Sequence, residues 1–531
     1  MIGMASRNKP SCPNGQSESY SRLIEAIYTL QSRLPDLLLF ACGTMSPRHT
    51  MPPEYSRMMS AIEQGRIKKP RVSEMMLRLG VCLLAAAKLT VVIVYMKLKY
   101  AVLLRRYAGR RFKVILKSWG LQDKWIGNND DFYFGKLTKW FENEKIGFLV
   151  LYGDRFGLHW AAPQASLLKS RYCYLPDFAL TSVLYPLKTV LGQWRTAWAL
   201  RRIAQEPTEG KLAIISAVVA LDCLSPATTV NALYYDIAKQ AARMWQPEVF
   251  MNLYEGQPLE KLMWLGVKAA HAPCVTVGYQ HTVVMPYAWS LIRPNLLLDK
   301  TAIPQVVMCT GEATRKMMEP GHRPLKTEMM RFGSFRRDAS QATGRKPCPE
   351  LKTIIVLPDG DLSEAKLLFN FAMELAVLLP DHKLIFRSHP FLPFDMVRAH
   401  LNSQPERFVN IELSKQGPID VDINNASVAL YRGSSAIIYA VMQGVKPYYF
   451  RHGDEFEIDP LFELREWRDF VSSAQEASDL IGGYAQVQPG KAFEDWLAAS
   501  DYANSYAVPV SEDAFRRFLR TLNLHKEEVS A

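Results

Sequence analysis

The chain has 531 residues, of which 48% are apolar and 22% charged, a composition typical of globular proteins. This length exceeds one ordinary core and predicts two domains with additional segments. The formal net charge of +12 would suit a polyanion or an anionic membrane surface, but no zinc-finger spacing, RNP pattern or long Lys/Arg run supports nucleic-acid binding. Eight scattered cysteines without a C-x-x-C pair favour a reduced, cytoplasmic compartment over a disulfide framework or a zinc site.

The N-terminal region combines a polar tail with a long apolar stretch. Residues 1–20 are polar and are expected to be disordered, and no secretory signal is present. Residues 76–107 are strongly apolar, but Lys88, Lys97 and Lys99 interrupt them, and lysines are costly in hydrocarbon. We therefore predict a basic helix lying in a membrane interface; the alternatives are a helix buried in the first domain or in an oligomer interface, and a true span.

From residue 111 onward the sequence alternates apolar strands with amphipathic helices. Strand patterns lie near 111–120, 146–153, 248–256, 273–281, 305–311 and 329–336, while 161–247 has the spacing of long helices. A polar, proline-containing linker follows at 337–351.

A second alternating pattern occupies residues 352–450, with strands predicted at 352–357, 383–386 and 427–431. The predicted fold class is therefore α/β, with two Rossmann-like domains facing a cleft and a helical N-terminal extension. The predicted units are the extension (1–110), a first domain with a helical insertion (111–336), a second domain (352–500) and a C-terminal helix and tail (501–531).

Polar residues follow three strands of the second domain. Asp359 follows the first strand, His389 the second and Ser434 the third. Ligands of open α/β sheets bind beyond the carboxyl ends of the strands, so these side chains are expected to line one crevice.

The chemistry of these strand ends fits an anionic ligand. The Gly433-Ser434-Ser435 sequence opens a helix and offers backbone N–H groups, two hydroxyls and the positive end of the helix dipole, which suit a phosphate. Arg387 and Arg432 are candidates to add positive charge, and His389 to donate a proton or a hydrogen bond. The alternative explanation is an ordinary helix cap beside a structural histidine.

The HP and SS pairs, together with LPDGDLSE, YRGSSA and GVKPYY, form an ordered set over about 100 residues. This set resembles bacterial sialyltransferases, Kdo transferases and surface-carbohydrate biosynthesis proteins of Gram-negative bacteria. The resemblance implies the two-domain GT-B glycosyltransferase fold. It also implies that His389 and the serine pair hold the phosphate of a CMP-activated sugar, that the first domain binds the acceptor and that the second binds the donor.

The catalytic base is harder to assign, because the acidic (D/E)-(D/E)-G motif of the resembled families is replaced by Tyr254-Glu255-Gly256. Glu255 follows a strand and is the first candidate. Asp131, beside Asp130, is the second. His281 ends another strand and is a candidate to bind the acceptor or assist the base.

No D-x-D motif clearly supports a metal-dependent reaction. The two examples are Asp359-Gly-Asp361 and Asp420-Val-Asp422, the second within a predicted helix. We therefore predict a metal-independent transferase without a cofactor. Asp459 follows the last strand of the second domain's crevice and is a further candidate, for closing the donor pocket.

Together these features predict a cytoplasmic glycosyltransferase, peripherally attached to the anionic inner membrane, that acts in capsule or lipopolysaccharide synthesis. The favoured donor is a CMP-activated Kdo or sialic-type sugar, and the acceptor is a glycan or glycolipid. The alternatives are a transferase using a UDP- or GDP-sugar, a nucleotide-sugar epimerase, and a non-catalytic module of polysaccharide assembly.

Overall fold

The computed structural model describes residues 16–34, 36–45, 69–120, 131, 133–153, 164–206, 210–294, 299–337, 345–390, 392–453 and 457–524. The predicted disordered tail therefore lies outside the described residues up to residue 15, and residues 16–20 belong to the first helix. Most of the predicted linker, 338–344, also lies outside them.

The first domain contains a seven-stranded parallel sheet in the order β3-β2-β1-β4-β5-β6-β7. Its strands are short and mostly buried, as expected when helices cover both faces of a parallel sheet. They are β1 (Val114–Trp119), β2 (Phe148–Gly153), β3 (Cys173–Pro176), β4 (Val249–Leu253), β5 (Val275–Gln280), β6 (Val306–Cys309) and β7 (Glu328–Arg331).

The second domain contains a six-stranded parallel sheet in the order β10-β9-β8-β11-β12-β13. Every residue of β8 is buried, which explains its unbroken Thr-Ile-Ile-Val-Leu sequence. The strands are β8 (Thr353–Leu357), β9 (Lys383–Phe386), β10 (Ile411–Leu413), β11 (Val428–Tyr431), β12 (Lys446–Phe450) and β13 (Asp469–Val471).

Helices cover both sheets and form the N-terminal extension. In the extension and first domain they are α1 (Gln16–Arg33), α2 (Leu37–Met45), α3 (Val72–Lys99), α4 (Ala101–Ala108), α5 (Leu137–Asn143), α6 (Gln164–Lys169), α7 (Tyr185–Ile203), α8 (Gly210–Cys223), α9 (Pro226–Trp245), α10 (Pro258–Ala270), α11 (Trp289–Ile292) and α12 (Glu312–His322). In the second domain and beyond they are α13 (Leu362–Leu378), α14 (Phe394–Arg398), α15 (Ile419–Asn424), α16 (Ala436–Met442), α17 (Ala474–Tyr484), α18 (Pro489–Tyr506) and α19 (Glu512–Thr521).

The prediction of two Rossmann-like domains with a helical N-terminal region is confirmed. The long helices predicted in 161–247 are present as α7, α8 and α9, but the stretch also contains β3, which was not predicted and which pairs in parallel with β2. Four residues are too few to show a period, and a tyrosine-rich strand closed by proline resembles a loop in sequence.

The two domains share an apolar cluster and exchange a C-terminal segment. Tyr254 and Cys309 of the first domain belong to the same cluster as Leu357, Tyr431 and Ile437 of the second. Helix α18 runs through the predicted boundary at residue 500, and α19 then returns to the first domain. There the ring of Phe518 lies 5.7 Å from that of Phe332 and 6.5 Å from that of Phe141.

Helix α3 differs from the other helices in its exposure. By length and composition it is able to cross a membrane, and only 22% of its most apolar window is buried in the protein. The pair α8 and α9, bent by 77°, passes the same test of length and composition, but both helices contribute many buried side chains to the core. Within the described residues, α3 is therefore the long apolar helix that the protein itself leaves largely uncovered.

Candidate active site

The three strand ends predicted to form the donor crevice meet in the structure. The chain runs outward from β8 to β10 and then returns to place β11 on the other side of β8, so the sheet changes direction between β8 and β11. Asp359 and Gly433 follow these two strands. Gly433 has a φ of +66°, and a Cβ added to it would lie 3.2 Å from Asp359 Oδ2. The loops therefore touch at the topological switch point, where such sheets bind ligands.

His389 closes the other side of this crevice. A Cβ added at Gly360 would lie 2.9 Å from His389 Nδ1, so the imidazole packs directly on the glycine that follows Asp359. Ser434 is buried at the same switch point, and Ser435 is the exposed N-cap residue of the short helix α16. The loops that carry Asp359, His389 and Ser434 thus lie together, as the sequence predicted. What they bind stays a prediction.

The two predicted arginines are each paired with a carboxylate of the second domain. The Arg387 guanidinium binds Asp422 and donates to the Gly417 carbonyl oxygen at 2.7 Å. The Arg432 guanidinium binds Glu364 and donates to the Phe450 carbonyl oxygen at 3.1 Å. Both side chains are buried and held in place by these partners, and a role of either arginine in binding a donor stays a prediction.

The carboxylates of the D-G-D sequence have different positions. Asp361 caps α13, accepting from the backbone N–H groups of Ser363 at 2.8 Å and Glu364 at 3.2 Å. Asp359 accepts from the N–H of Gly360 and lies against Gly433. Among the described residues, no group of three or more His, Cys, Asp or Glu side chains is arranged to hold a metal ion.

Asp459 is part of the core of the second domain. It is fully buried, accepts from Tyr431 Oη at 2.7 Å and pairs with Arg468 at 2.8 Å. Burial raises the pKa of its carboxyl group, while Arg468 opposes that shift. The neighbouring Ile458 contacts the Gly433 position, so Asp459 braces the crevice wall and does not line it.

In the first domain, Glu255 and His281 form a buried pair. Glu255 follows β4 and His281 follows β5, the adjacent strand. The Nε2 atom of His281 lies 2.8 Å from Oε1 of Glu255, with side chains 3% and 6% exposed. The strand order reverses between β1 and β4, so this pair also lies beside a topological switch point.

The loop that carries Glu255 is fixed by residues that the sequence analysis missed. Glu260 lies at the third position of α10 and accepts from the backbone N–H groups of Glu255 at 3.0 Å and Gly256 at 2.9 Å. Buried Lys261 donates to the Gly256 carbonyl oxygen at 3.1 Å. Proline at the first helical position and Glu at the third form a helix-start pattern that is visible in the sequence and could have identified Glu260.

The electrostatics of the pair favour a neutral histidine. Burial lowers the pKa of His281, Glu255 opposes that shift, and the charge of Arg336 lowers the pKa further. The ring of Tyr133 lies 5.0 Å from the His281 ring, and the Arg336 guanidinium lies 5.6 Å from the Tyr133 ring. Both ring nitrogens of His281 are buried, and within the described part of the chain neither makes a well-aligned hydrogen bond to another side chain, although Nε2 lies 2.8 Å from Glu255 Oε1. A neutral imidazole is able to accept a proton.

Asp131, the second candidate base, holds a turn. Its Oδ1 accepts from the backbone N–H groups of Tyr133 and Phe134, each at 2.8 Å. Burial raises the pKa of its carboxyl group, and Ser118 and these N–H groups oppose the shift. Its clearest structural effect is to hold the turn that places Tyr133 against His281. Asp130 lies outside the described residues.

The two candidate regions approach each other through aromatic residues. Tyr279 lies in β5, two residues before His281, and Tyr439 lies in α16, the helix that follows Ser434 and Ser435. Burial raises the pKa of Tyr279, and the nearby Tyr439 phenol raises it further. Helix α16 also contributes Ile437 and Ile438 to the apolar cluster that contains Tyr254, the residue before Glu255.

No protein-family model matches the chain, and no curated protein matches it. Among solved structures, it is similar to the glycotransferase of kitacinnamycin, with 12% identity, a TM-score of 0.43 and coverage of 77% of this chain and 99% of the other. It is also similar to α,α-trehalose 6-phosphate synthase from Burkholderia multivorans, with 11% identity, a TM-score of 0.45 and coverage of 78% and 98%.

A third similar structure is a UDP-N-acetylglucosamine 2-epimerase from Listeria monocytogenes, with 11% identity, a TM-score of 0.44 and coverage of 79% and 98%. At TM-scores this low the likenesses carry no argument. The description of the fold stands on the topology of the two sheets.

Proposed function

We infer that the protein is a GT-B glycosyltransferase of bacterial surface polysaccharide or lipopolysaccharide synthesis. Its favoured donor is a CMP-activated 2-keto sugar acid of the Kdo or sialic type, and its acceptor is a glycan or glycolipid. The observation that carries this proposal is that the two sheets place chemically different groups at the carboxyl ends of their strands. A buried carboxylate–imidazole pair lies beside the switch point of one sheet, and a Gly-Ser-Ser loop with a histidine lies at the switch point of the other.

On the acceptor side, Glu255 and His281 supply the base. Glu255, with Oε1 2.8 Å from Nε2, orients the imidazole, and Nδ1 takes the proton of the acceptor hydroxyl. The acceptor oxygen then forms its bond to the anomeric carbon as the bond from that carbon to the phosphate oxygen breaks. Direct displacement inverts the anomeric configuration.

On the donor side, the second domain stabilises the leaving phosphate. Backbone N–H groups and hydroxyls of Ser434 and Ser435, with the His389 imidazole, offer hydrogen bonds to an oxyanion that develops negative charge. A CMP leaving group carries one phosphate, so this donor set suffices in the proposed mechanism without a divalent metal.

The donor class receives separate support from Arg336. Its charge acts on His281, and its side chain is exposed beside the pair. A cation at this position suits the carboxylate of a keto sugar acid, which lies on the same carbon that the acceptor attacks.

The test is acceptor dependence. CMP release is measured with CMP-Kdo and with CMP-sialic acid, each with and without a glycolipid fraction from a Gram-negative envelope. The proposed transferase releases CMP much faster with acceptor, and His281→Gln abolishes that increase. Conversion of a nucleotide sugar without any acceptor would identify an epimerase, and no turnover of CMP-, UDP- or GDP-sugars would favour a non-catalytic module.

A further inference from the structure

Two adjacent helices, α3 of the N-terminal extension and α7 of the first domain, present an apolar surface to solvent. On α3, Leu77, Leu84, Val91 and Leu98 recur every seven residues and are 71%, 75%, 69% and 74% exposed. At the start of α7, Leu184 and Leu191 are 69% and 50% exposed. We call these six residues the two-helix surface. Exposed apolar residues at this spacing form a continuous stripe along one helix face.

The two helices are held side by side. Val190 of α7 packs with Cys82 and Ala86 on the inner face of α3. This contact fixes the relative position of the helices and leaves the leucines of α7 beside the outer face of α3. Two helices thus contribute to the surface, whereas the sequence predicts only α3 as a helix at a membrane interface.

The two sequence segments that carry the two-helix surface are almost entirely positive in charge. Residues 69–113 contain eleven Lys or Arg and one Glu, and residues 184–203 contain four Lys or Arg and no acidic residue. Lys88 and Lys188 are exposed, one on each helix. An apolar stripe with a basic border is complementary to an anionic bilayer, because the apolar side chains enter the interface while the lysines reach the head groups.

This charge argues against a second copy of the chain as the occupant. Two copies that bury the same surface would bring their basic borders together, and like charges at short range oppose association.

The inner contacts of α3 argue against a transmembrane position. Its inner face is buried from Met75 to Met96, Arg78 donates to the Leu221 carbonyl oxygen at 3.3 Å, and Lys97 donates to the Ala179 carbonyl oxygen at 3.0 Å. A helix tied to a folded domain along its length lies on a bilayer and does not cross it.

We propose that the two-helix surface docks the protein onto an anionic bilayer, with α3 and the start of α7 in the plane of the interface. Ala179 follows the carboxyl end of β3, so the Lys97 contact places the C-terminal end of α3 at the same edge of the sheet as Glu255 and His281. The docked protein therefore holds that edge close to the lipid surface. Delivery of a lipid-linked acceptor to this edge rests on the proposed function; docking itself does not.

The experiment is flotation of the full chain with vesicles. Wild-type protein is expected to float with phosphatidylcholine vesicles containing phosphatidylglycerol, and far less with phosphatidylcholine alone. The double variant Leu84→Glu/Leu184→Glu is expected to lower the partition coefficient about tenfold or more, because it puts a charge on each helix at the interface. The matched control, Val377→Glu/Val409→Glu, changes two exposed valines of the second domain and is expected to float like the wild type.

A second variant separates charge from apolar burial. Lys88→Glu/Lys188→Glu is expected to lower binding to anionic vesicles about fivefold or more for each reversed charge, with little effect on neutral vesicles. Circular dichroism and thermal melting of each variant establish that it is folded.

Three results would overturn the proposal. The first is equal flotation of wild type and Leu84→Glu/Leu184→Glu. The second is a wild-type protein that does not bind vesicles and forms a dimer in analytical ultracentrifugation, while the Leu84→Glu/Leu184→Glu variant is a monomer. The third is resistance of the bound protein to carbonate extraction, which would show a transmembrane helix. The vesicles contain no sugar substrate, so failure here is distinct from failure of the proposed glycosyl transfer.

Discussion

His322 allows a quantitative test of how the acceptor-side loop is held in place. This histidine is fully buried, and its Nδ1 lies 2.9 Å from the Met318 carbonyl oxygen. A carbonyl oxygen only accepts, so Nδ1 carries the proton and donates, and Nε2 accepts from Tyr254 Oη at 3.1 Å. Tyr254 immediately precedes Glu255. Protonation of His322 therefore places an uncompensated charge beneath the candidate base.

The size of this effect follows from the pKa. Burial lowers the pKa of His322 from 6.5 to about 4, and the hydrogen bond to Met318 opposes the shift. Above pH 6.5 the histidine is neutral in both the folded and the unfolded protein, and its contribution to the free energy of unfolding is complete. Below pH 6.5 the unfolded chain binds a proton that the folded protein does not bind. Stability is thus lost as pH falls, by about 2 kcal/mol at pH 5 and about 3 kcal/mol once pH is below the folded pKa.

The assay is urea unfolding at pH 7.5 and 5.0, followed by tryptophan fluorescence. Wild type is expected to lose about 2 kcal/mol more than His322→Gln between these pH values, because glutamine does not titrate. Tyr254→Phe, which keeps the buried histidine, is the control and retains the wild-type pH dependence. Equal losses for wild type and His322→Gln would refute the reasoning.

Three further predictions concern the cleft. Glu255→Gln and His281→Gln each lower the transfer rate about 100- to 10,000-fold and leave CMP affinity unchanged, as measured by initial rates and calorimetry. Because burial lowers the pKa of His281 below the ordinary histidine value of 6.5, the transfer rate is expected to decline only below pH 6.5. A plot of kcat/KM against pH whose midpoint lies at or above pH 6.5 would contradict this prediction. Gly360→Ala weakens CMP binding about tenfold because the new Cβ meets His389, whereas Gly490→Ala, in open space, has no effect.

The sequence predicted most of the second domain because its strands are long apolar runs between clear breaks. The predicted strand at 383–386 coincides with β9, and those at 352–357 and 427–431 differ from β8 and β11 by one residue at the start. The strand β3 escaped detection because it is short and lies among helices. The return of α19 to the first domain rests on long-range packing of Phe515 and Phe518, which no local pattern reveals.

The candidate site residues were predictable where a chemically suitable side chain directly follows a predicted strand. Glu255, His281, His389 and Ser434 follow strands, and parallel sheets bring such residues to one edge. Arg387 and Arg432 have the same placement, but their acidic partners, Asp422 and Glu364, are distant in sequence and could not be inferred from it.

The central claim, that the second domain binds the CMP group of a sugar donor, is tested most directly by nucleotide titration. Thermal melting is measured with CMP, CDP, UDP and GDP for wild type, His389→Ala and Ser434→Ala, with exposed Ser472→Ala as the control. A ligand that binds only the folded state raises Tm by mass action. The account predicts the largest rise with CMP, lost in both crevice variants and kept in the control. A rise with UDP or GDP but not CMP, or a CMP response that both variants retain, would contradict it.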